Sequence, residues 1–454
     1  MRLAHVAAAA LAGIVLLATA APAVALDPPV VVVGAPPQDD PPGPELPTKQ
    51  DKGCLASGVL RDSDIARTPP PELALDLPRA RALSRGEGVT VAVIDTGVQP
   101  NTRLPNLVGG GDYMLAGGDG LSDCDAHGTL VAGIIGAGSD PADGFSGVAP
   151  DSRIISIRTR SGAITQEHSG SDEAQRISQE LRTLARAITR AANLGAGVIT
   201  VSLPVCVPVK LRLDQSMLSA AIGYAVRVRG ALIVAGAGDT NAAGCAQNPY
   251  PDPARPGDSR NWRDVATISA PSWFAPDVLS VGFTTATGAA MPDQLTGPWV
   301  SVAAPGTGIE SLGPGGAGLI NGVGAPDSLV PVGGASFAAA YVSGVAALLR
   351  SRYPNETPAE IGARLQAGAH APAHGVDNLV GAGLIDPAAA LAYRTAPQPP
   401  AGLFRSSPLA IPDPPRARDA RPGIIALVII LVAAGLGFGA SRMNKSMRAN
   451  RGNR

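Results

Sequence analysis

Net charge is the first thing that this sequence lacks. Its 454 residues include 36 basic and 37 acidic side chains, which leaves a formal charge of −1 at pH 7. Proteins that bind nucleic acid present a strongly basic face, so this balance gives no electrostatic case for a nucleic-acid partner. The sequence also lacks an internal repeat, which argues against a solenoid built from small modules.

Both ends of the chain resemble targeting segments. Residues 1–25 begin with Arg2 and His5, continue through a short apolar stretch and end in the small residues Ala-Val-Ala. This pattern predicts a secretory signal peptide that is cleaved after Ala25. An uncleaved N-terminal anchor is the alternative, and Pro22 together with the small residues favours cleavage.

Residues 423–441 contain no charged side chain. As a helix they would be roughly 28 Å long at ~1.5 Å per residue, which is about the thickness of the hydrocarbon core of a membrane. We therefore expect a single transmembrane helix, with a buried core helix as the alternative. Residues 442–454 are basic and contain no acidic residue, so the positive-inside rule predicts that they form a cytoplasmic tail and that the preceding domain lies outside.

Proline marks the boundaries between these segments. Residues 26–50 are Pro-rich and we do not expect them to pack as a domain, so residues 26–73 are interpreted as an N-terminal extension. Residues 74–395 have a globular composition. A second Pro-rich stretch at 396–422 is typical of a semi-rigid linker between the domain and the membrane segment.

Continuous apolar runs recur through the globular segment, and such runs are typical of strands buried on both faces. Between them lie helical patterns, of which 173–196 is the clearest, with Gly195 as its C-terminal cap. This alternation predicts an α/β fold with a central, mostly parallel sheet. The predicted strands lie within residues 88–95, 153–159, 197–203, 230–238 and 277–283.

Three polar residues lie at positions where such a fold commonly carries catalytic groups. Asp95 ends the first apolar run, His127 precedes a helix rich in small residues, and Ser336 begins another such helix. Each has a structural alternative: a strand-end Asp often caps a turn, a lone His is often structural, and Ser is a good helix cap. A serine at a helix N-terminus is also well placed as a nucleophile, because free N–H groups there can donate to an oxyanion.

The three segments together carry a family resemblance. VAVIDTGV (91–98), HGTLVAGIIGA (127–137) and GASFAAAYVSGVAALL (334–349) resemble the three signature segments of subtilisin-like serine proteases, in the same Asp, His, Ser order. The resemblance extends over residues 74–395. It implies a three-layer subtilisin-like fold and a serine endopeptidase in which Ser336 attacks the peptide carbonyl, His127 transfers the proton and Asp95 orients His127.

The whole chain more closely resembles the mycosins, membrane-anchored subtilisin-like proteases associated with type VII secretion. The signal peptide, the four cysteines, the Pro-rich linker and the C-terminal anchor agree with that subgroup. The resemblance implies an exported protein or peptide substrate and a secretion membrane complex as partner. A structural subunit of that complex with weak or incidental peptidase activity is the alternative function.

Four cysteines in an exported chain suggest two disulfides, for which three pairings are possible. In the implied fold, Cys206 and Cys245 each follow a strand. If those strands are neighbours, about 4.8 Å apart, the loops that leave them can meet and the two cysteines can pair. Cys54 and Cys124 would then tie the N-terminal extension to the loop before His127.

The sequence departs from the family at Asp239, where subtilisins usually have the asparagine that donates to the oxyanion. An ionised carboxylate there would repel the charge that it should stabilise, so we expect a slow enzyme that works better at mildly acidic pH. The usual calcium ligands are not recognisable, and we expect no metal and no cofactor. The resemblance places the wall of the substrate pocket at Ser202, Leu203 and Pro204 and at the segment that includes Gly236 and Gly238.

Overall fold

The computed structural model describes Leu26 and residues 29–167, 172–242, 244–316, 318–398 and 407–408. All of them lie in the first of two units of the chain, Met1–Ala410. The predicted signal peptide, the predicted transmembrane helix and basic tail, and most of the Pro-rich linker lie outside the described residues. Within the described ranges, no helix is both long enough and apolar enough to cross a membrane.

The described residues form eight α-helices and eighteen short or medium strands. The helices are α1 Pro70–Ala74, α2 Leu77–Leu83, α3 His127–Gly136, α4 Glu173–Asn193, α5 Ser216–Gly223, α6 Ala335–Arg352, α7 Pro358–Ala367 and α8 Pro387–Ala392. The strands of the first half are β1 Pro29–Val30, β2 Thr48–Gln50, β3 Ala56–Gly58, β4 Thr90–Asp95, β5 Leu107–Asp112, β6 Arg153–Arg158, β7 Ile164–Gln166, β8 Val198–Val201 and β9 Val205–Pro208. Those of the second half are β10 Leu232–Gly236, β11 Thr267–Ala270, β12 Val278–Thr284, β13 Val300–Pro305, β14 Ser311–Leu312, β15 Leu319–Ile320, β16 Gly322–Ala325, β17 Ser328–Pro331 and β18 Ser407–Pro408.

The centre of the fold is a seven-stranded sheet in the order β13-β12-β10-β8-β4-β6-β5. Every neighbouring pair in it is parallel, which confirms the predicted α/β class. The five predicted apolar runs supply β4, β6, β8, β10 and β12. The helix predicted over 173–196 is α4, and Gly195 follows it with a left-handed φ of 80°.

Helices cover both faces of this sheet and make a three-layer arrangement. Side chains of successive strand residues point to opposite faces. In β4, Val91 and Val93 accordingly join one core cluster with residues of α3 and α6, while Ala92 and Ile94 join a second cluster with residues of α4 and α5. This double coverage explains why the strands are continuous apolar runs rather than alternating ones.

Small residues let α6 lie close to its neighbours. All residues from Ala335 to Leu349 are buried. A Cβ added at Gly344 would stand 2.5 Å from a side-chain carbon of Val148, so this position has no room for a larger residue. The alanine- and glycine-rich composition of this helix therefore reflects packing along its length, with Ser336 at its first turn.

The N-terminal extension lies against the domain instead of forming a separate one. Its strand β2 pairs antiparallel with β7. Ion pairs join Asp39 and Glu45 to Arg190 and Arg182 of α4, at 3.3 and 2.7 Å. Further along, β3 pairs with β16 in a small three-stranded sheet. These contacts give the extension a defined path in spite of its high proline content.

Candidate active site

Three polar side chains converge at the carboxyl edge of the central sheet. Asp95 is the last residue of β4, His127 is the first residue of α3 and Ser336 is the second residue of α6. They are separated by 32 and 209 positions in the chain. Parallel strands end at the same edge, so the fold itself gathers residues that follow them.

His127 bridges the other two side chains. Its Nδ1 lies 2.8 and 3.0 Å from the two carboxylate oxygens of Asp95, and its Nε2 lies 2.8 Å from Oγ of Ser336. With the proton on Nδ1, the imidazole donates to Asp95 and accepts from the serine hydroxyl. The ring of Phe337 packs against the imidazole, with centroids 5.0 Å apart. The orientation of the ring is thus fixed on both nitrogens and on one face.

Asp95 is fully buried and accepts hydrogen bonds from three groups. Besides His127, the backbone N–H of Thr96 donates at 2.6 Å and the hydroxyl of Ser202 donates to the second oxygen. Burial by itself raises the pKa of the Asp95 carboxyl, but the His127 charge and these donors outweigh it, so the pKa is lowered. This carboxylate is therefore negatively charged at neutral pH.

The same partners act on the imidazole. Burial disfavours the charged form of His127, while the charge and hydrogen bond of Asp95 favour it, and the net result is a raised pKa. The carboxylates of Asp123 and Asp239 act in the same direction. Because an imidazolium is stabilised here, His127 is suited to take up a proton from Ser336.

Asp239 lies at the start of α6, next to the nucleophile position. Its Oδ1 accepts a hydrogen bond from the backbone N–H of Ala335 at 3.2 Å. A Cβ on Gly334 would come within 3.1 Å of the same oxygen, and Gly334 has a φ of 131° that L-residues rarely adopt. Burial is the main reason why the pKa of Asp239 is raised to about 6; the charge of Asp293 acts in the same direction, and the hydrogen bond of Ala335 and the charge of His127 act against it.

A cleft of about 630 Å³ is lined by Thr96, which directly follows Asp95, while Asp95, His127, Ser336 and Asp239 themselves are not among its lining residues. Its walls are the chain segments that follow β6 and β8, one face of α4, part of the N-terminal extension and the loop around Cys245. Leu203 and Pro204, two of the residues assigned to the wall of the substrate pocket, line this cleft. Other lining residues are Pro44, Glu45, Thr48, Thr96, Tyr113, Thr159, Arg160, Ser161, Arg176, Ile177, Glu180, Cys206 and Ala242.

The other three residues assigned to the pocket wall lie outside the lining of the cleft. Ser202 is buried and its hydroxyl is directed at Asp95. The carbonyl of Gly236 accepts from the hydroxyl of Ser272, and Gly238 packs near Leu295. Sequence reasoning missed the role of Ser202 as a partner of Asp95. The signal was in the pairing of β4 with β8, which sets Ile94 opposite Val201 and brings the next residues side by side.

Two disulfides fasten the loops around the site. Cys206 is joined to Cys245, and both residues line the cleft. Cys54 is joined to Cys124, which ties the extension to the loop before His127. This is the pairing that the implied strand neighbours favoured. Among the residues that the structure describes, no three His, Cys, Asp or Glu side chains are grouped so that they could hold a metal ion.

This arrangement combines a hydroxyl, a general base that accepts its proton, and a charged carboxylate that orients the base. Such a constellation supports nucleophilic attack on an acyl group. A nearby carboxyl and the helix N-terminus face the region where negative charge would develop. The cleft reaches this constellation at Thr96, the residue after Asp95.

Comparison with known proteins agrees with this chemistry. The model of the subtilase family, peptidase S8, matches residues 86–383. Mycosin-1 of Mycolicibacterium smegmatis is 44% identical over 447 residues, which cover 96% of this chain and 97% of the relative.

Solved structures give the same result. The crystal structure of MycP1 from the ESX-1 type VII secretion system is 46% identical, covers 84% of this chain and 100% of its own, and superposes with a TM-score of 0.79. A chain of an intact ESX-5 inner membrane complex is 44% identical, covers 92% of this chain and 100% of its own, and has a TM-score of 0.78. The chain therefore belongs to the subtilase family of serine endopeptidases and, within it, to the mycosins.

Proposed function

We propose that this chain is a membrane-anchored, extracytoplasmic endopeptidase whose nucleophile is Ser336, whose general base is His127 and whose orienting carboxylate is Asp95. The observation that carries this proposal is the position of the imidazole, hydrogen-bonded to Asp95 through Nδ1 and to Ser336 through Nε2. Asp95 has a lowered pKa and is ionised near neutral pH, as an orienting carboxylate has to be.

The reaction has two halves. Ser336 Oγ attacks the carbonyl carbon of the scissile peptide bond while His127 Nε2 takes the hydroxyl proton. The tetrahedral intermediate collapses when the imidazolium gives that proton to the leaving amine, which leaves an acyl-enzyme. Water then attacks the ester, His127 again takes the proton, and return of the proton to Ser336 releases the carboxylic acid product.

Negative charge on the former carbonyl oxygen has to be stabilised in both halves. We assign this role to the first turn of α6 together with Asp239, whose carboxyl faces that turn. A protonated Asp239 can donate a hydrogen bond to the oxyanion, whereas an ionised one repels it. Since burial raises the pKa of Asp239 to about 6, the donor form is a minority species at neutral pH.

The substrate is an exported protein or peptide, and the cleft that reaches the triad at Thr96 is its proposed binding site. Leu203 and Pro204 provide part of one wall. Proline has no N–H, so Pro204 cannot donate to the backbone of a peptide in the cleft. Side-chain contacts therefore have a larger share in binding at this position than backbone pairing does.

The domain organisation completes the proposal. Residues 1–25 serve as a cleaved signal peptide, 26–73 as an extension that stays attached, 74–395 as the peptidase domain, 396–422 as a linker, 423–441 as the transmembrane anchor and 442–454 as a cytoplasmic tail. The disulfide from Cys54 and the ion pairs of Asp39 and Glu45 support retention of the extension. The apolar and basic character of the C-terminal segments supports the anchor.

The partner is a type VII secretion membrane complex. Relatives with 44–46% identity are described as MycP1 from the ESX-1 type VII secretion system and as part of an ESX-5 inner membrane complex. A second function, as a structural subunit of such a complex, is favoured by Asp239, because an ionisable carboxyl at the oxyanion position weakens catalysis. The two functions can coexist in one chain.

Labelling with a fluorophosphonate probe tests the enzymatic function. Wild-type protein and Ser343→Ala should react, while Ser336→Ala should not. Ser343 is a matched control because it is a buried serine on the same helix whose hydroxyl has no partner. Absence of labelling in the wild type would contradict an active protease. In cells, secretion that persists in Ser336→Ala while substrate processing stops would establish both functions as separable.

A further inference from the structure

Asp123 is a buried carboxylate that the triad does not use. It lies on the loop before α3 and is only 6% exposed. One oxygen accepts from Oγ1 of Thr96 at 2.9 Å and from the N–H of Asp125 at 3.0 Å. The other accepts from the N–H and the hydroxyl of Thr129, at 2.9 and 2.7 Å. All four donors suit an ionised acceptor.

These hydrogen bonds join the two chain segments that present Asp95 and His127. Thr96 directly follows Asp95, and its Oγ1 also accepts from the N–H of Gly128, at 2.9 Å. Thr129 lies two residues after His127, and its hydroxyl also accepts from the N–H of Gln99, at 3.0 Å. The end of β4 and the start of α3 are thus tied at two points, with Asp123 as the common acceptor.

The first turn of α3 depends on this tie because its own capping residue cannot cap it. Ala126 holds the N-cap position with a left-handed φ of 61° and has no side-chain acceptor. Unsatisfied N–H groups at a helix start need an acceptor from elsewhere. Asp123 supplies it at Thr129. Backbone geometry that alanine disfavours is therefore maintained immediately before His127.

We propose that Asp123 is a positioning residue for this reaction: it locks the Asp95 end of β4 to the His127 end of α3 and places a second negative charge beside the imidazole. This proposal rests on the proposed function of the same site. Asp123 acts through Thr96, Thr129 and its field, and it does not touch the reacting atoms.

The charge of Asp123 has its own effect. The titratable groups that face His127 are Asp95 from β4, Asp123 from the loop and Asp239 from the segment after β10. Burial disfavours the imidazolium, and these three carboxylates raise the pKa of His127 against it. Burial also raises the pKa of Asp123 to about 6 in spite of its hydrogen bonds. Near neutral pH the carboxylate is therefore mostly ionised and contributes to the pKa of His127.

Asp123→Asn keeps the size of the side chain but removes its charge and one of its acceptor oxygens, so it tests the positioning role apart from packing. Each oxygen of Asp123 accepts one backbone N–H, so either orientation of an amide sets its NH₂ against a backbone donor. Asp125→Asn is the matched control, since it removes the same charge two residues away. The carboxylate of Asp125 accepts only from Ser161 and Gly162 on a different loop.

NMR titration of the histidines in a Ser336→Ala background reads the pKa of His127 without requiring activity. We expect Asp123→Asn to lower that pKa and Asp125→Asn to change it less. With Ser336 intact, fluorophosphonate labelling of Asp123→Asn should be ~10- to 100-fold slower, and its acid limb should move to lower pH. A folded Asp123→Asn protein that matches Asp125→Asn in both measurements would overturn the proposal.

A second pair of variants keeps the test decisive where Asp123→Asn does not fold. Thr129→Val removes a donor to Asp123 and should slow labelling, while Thr129→Ser keeps the hydroxyl and should retain the wild-type rate. Equal rates for the two variants would also overturn the proposal. Failure of the proposed function gives a different result, in which wild-type protein is not labelled at all while the His127 titration stays measurable.

Discussion

Asp95 and Asp239 are the same residue type in two comparable places, yet the structure gives them opposite properties. Asp95 ends β4, and Asp239 follows β10, two strands away in the central sheet. Burial raises the pKa of both carboxyls. At Asp95 the charge of His127 and donors from His127, Ser202 and Thr96 reverse that effect. At Asp239 the single donor, the N–H of Ala335, does not reverse the effect of burial, and the pKa of Asp239 is raised to about 6.

Burial acts on both carboxyls, and the charge of His127 together with the donors His127, Ser202 and Thr96 outweighs it only at Asp95. On the acid–base side of the proposed mechanism, the charged Asp95 supports the imidazolium that forms on His127. In the proposed mechanism, the oxyanion side is complete only where Asp239 is protonated. We infer that turnover of this enzyme is limited at the oxyanion side.

Replacement of Asp by Asn should have opposite effects on turnover at Asp95 and at Asp239, and the effect at Asp95 should be larger. Asp95→Asn replaces one of the two acceptor oxygens with an NH₂. His127 donates towards both oxygens, Thr96 to one and Ser202 to the other, so either orientation of the amide sets the NH₂ against a donor and weakens the orientation of the imidazole. We expect kcat for a peptide substrate to fall by ~10⁴-fold while the melting temperature shows a folded protein. A fall of less than tenfold would mean that Asp95 does not orient His127.

Asp239→Asn should instead raise kcat/KM at pH 7–8, by up to ~10²-fold, because an amide donates to the oxyanion in every protonation state. Peptide hydrolysis or the rate of fluorophosphonate labelling measures this gain. Asp293→Asn is a useful control, since it removes a charge that raises the pKa of Asp239 and leaves the Asp239 side chain in place. Slower turnover of Asp239→Asn at neutral pH would contradict the assignment of Asp239 to the oxyanion side.

The pH profile makes the same comparison within the wild-type protein. Protonated Asp239 is lost as the pH rises through about 6, whereas neutral His127 is gained as the pH rises through its raised pKa. Activity depends on the fraction of Asp239 that is protonated multiplied by the fraction of His127 that is neutral. The pH profile is therefore bell-shaped, with a low maximum between the two pKa values. Asp239→Asn should lose the limb that Asp239 causes and reach a plateau at alkaline pH. An unchanged bell in that variant would assign the limb to another group.

The smallest expected effect is on stability. A carboxyl whose pKa is higher in the folded than in the unfolded protein stabilises the fold below its unfolded pKa, and this contribution is lost as the pH rises through about 6. We expect Asp239→Asn to be more stable than wild type by ~1 kcal/mol at pH 8, because Asp239 is only partly buried and solvent screens part of the effect. Urea unfolding at pH 4 and pH 8 measures this, and a gain of equal size at both values would exclude ionisation as its cause.

Much of the fold could be predicted from local pattern. Strands β4, β6, β8, β10 and β12 are apolar runs long enough to be recognised. The edge strand β5 was missed because three of its six residues are glycine, which is depleted in strands. Several strands of the outer sheets have only two to four residues, and a period cannot be read from so few positions.

The site also contains residues that local sequence motifs predict and residues that they do not. The positions of Asp95, His127, Ser336 and Asp239 follow from quoted motifs. The roles of Ser202 and Asp123 do not, because each depends on a neighbour from another part of the chain. Ser202 reaches Asp95 through the pairing of β8 with β4, and Asp123 reaches Thr96 across 27 positions.

The sequence by itself determined the class of the fold, the identity of the chemical groups and their order along the chain. These follow from local hydrophobic pattern and from short motifs. Only the tertiary structure decided which carboxyl is charged and which pocket residues face the cleft. Protonation depends on the donors and charges within a few ångströms, and at this site they come from segments that are as much as 209 positions apart.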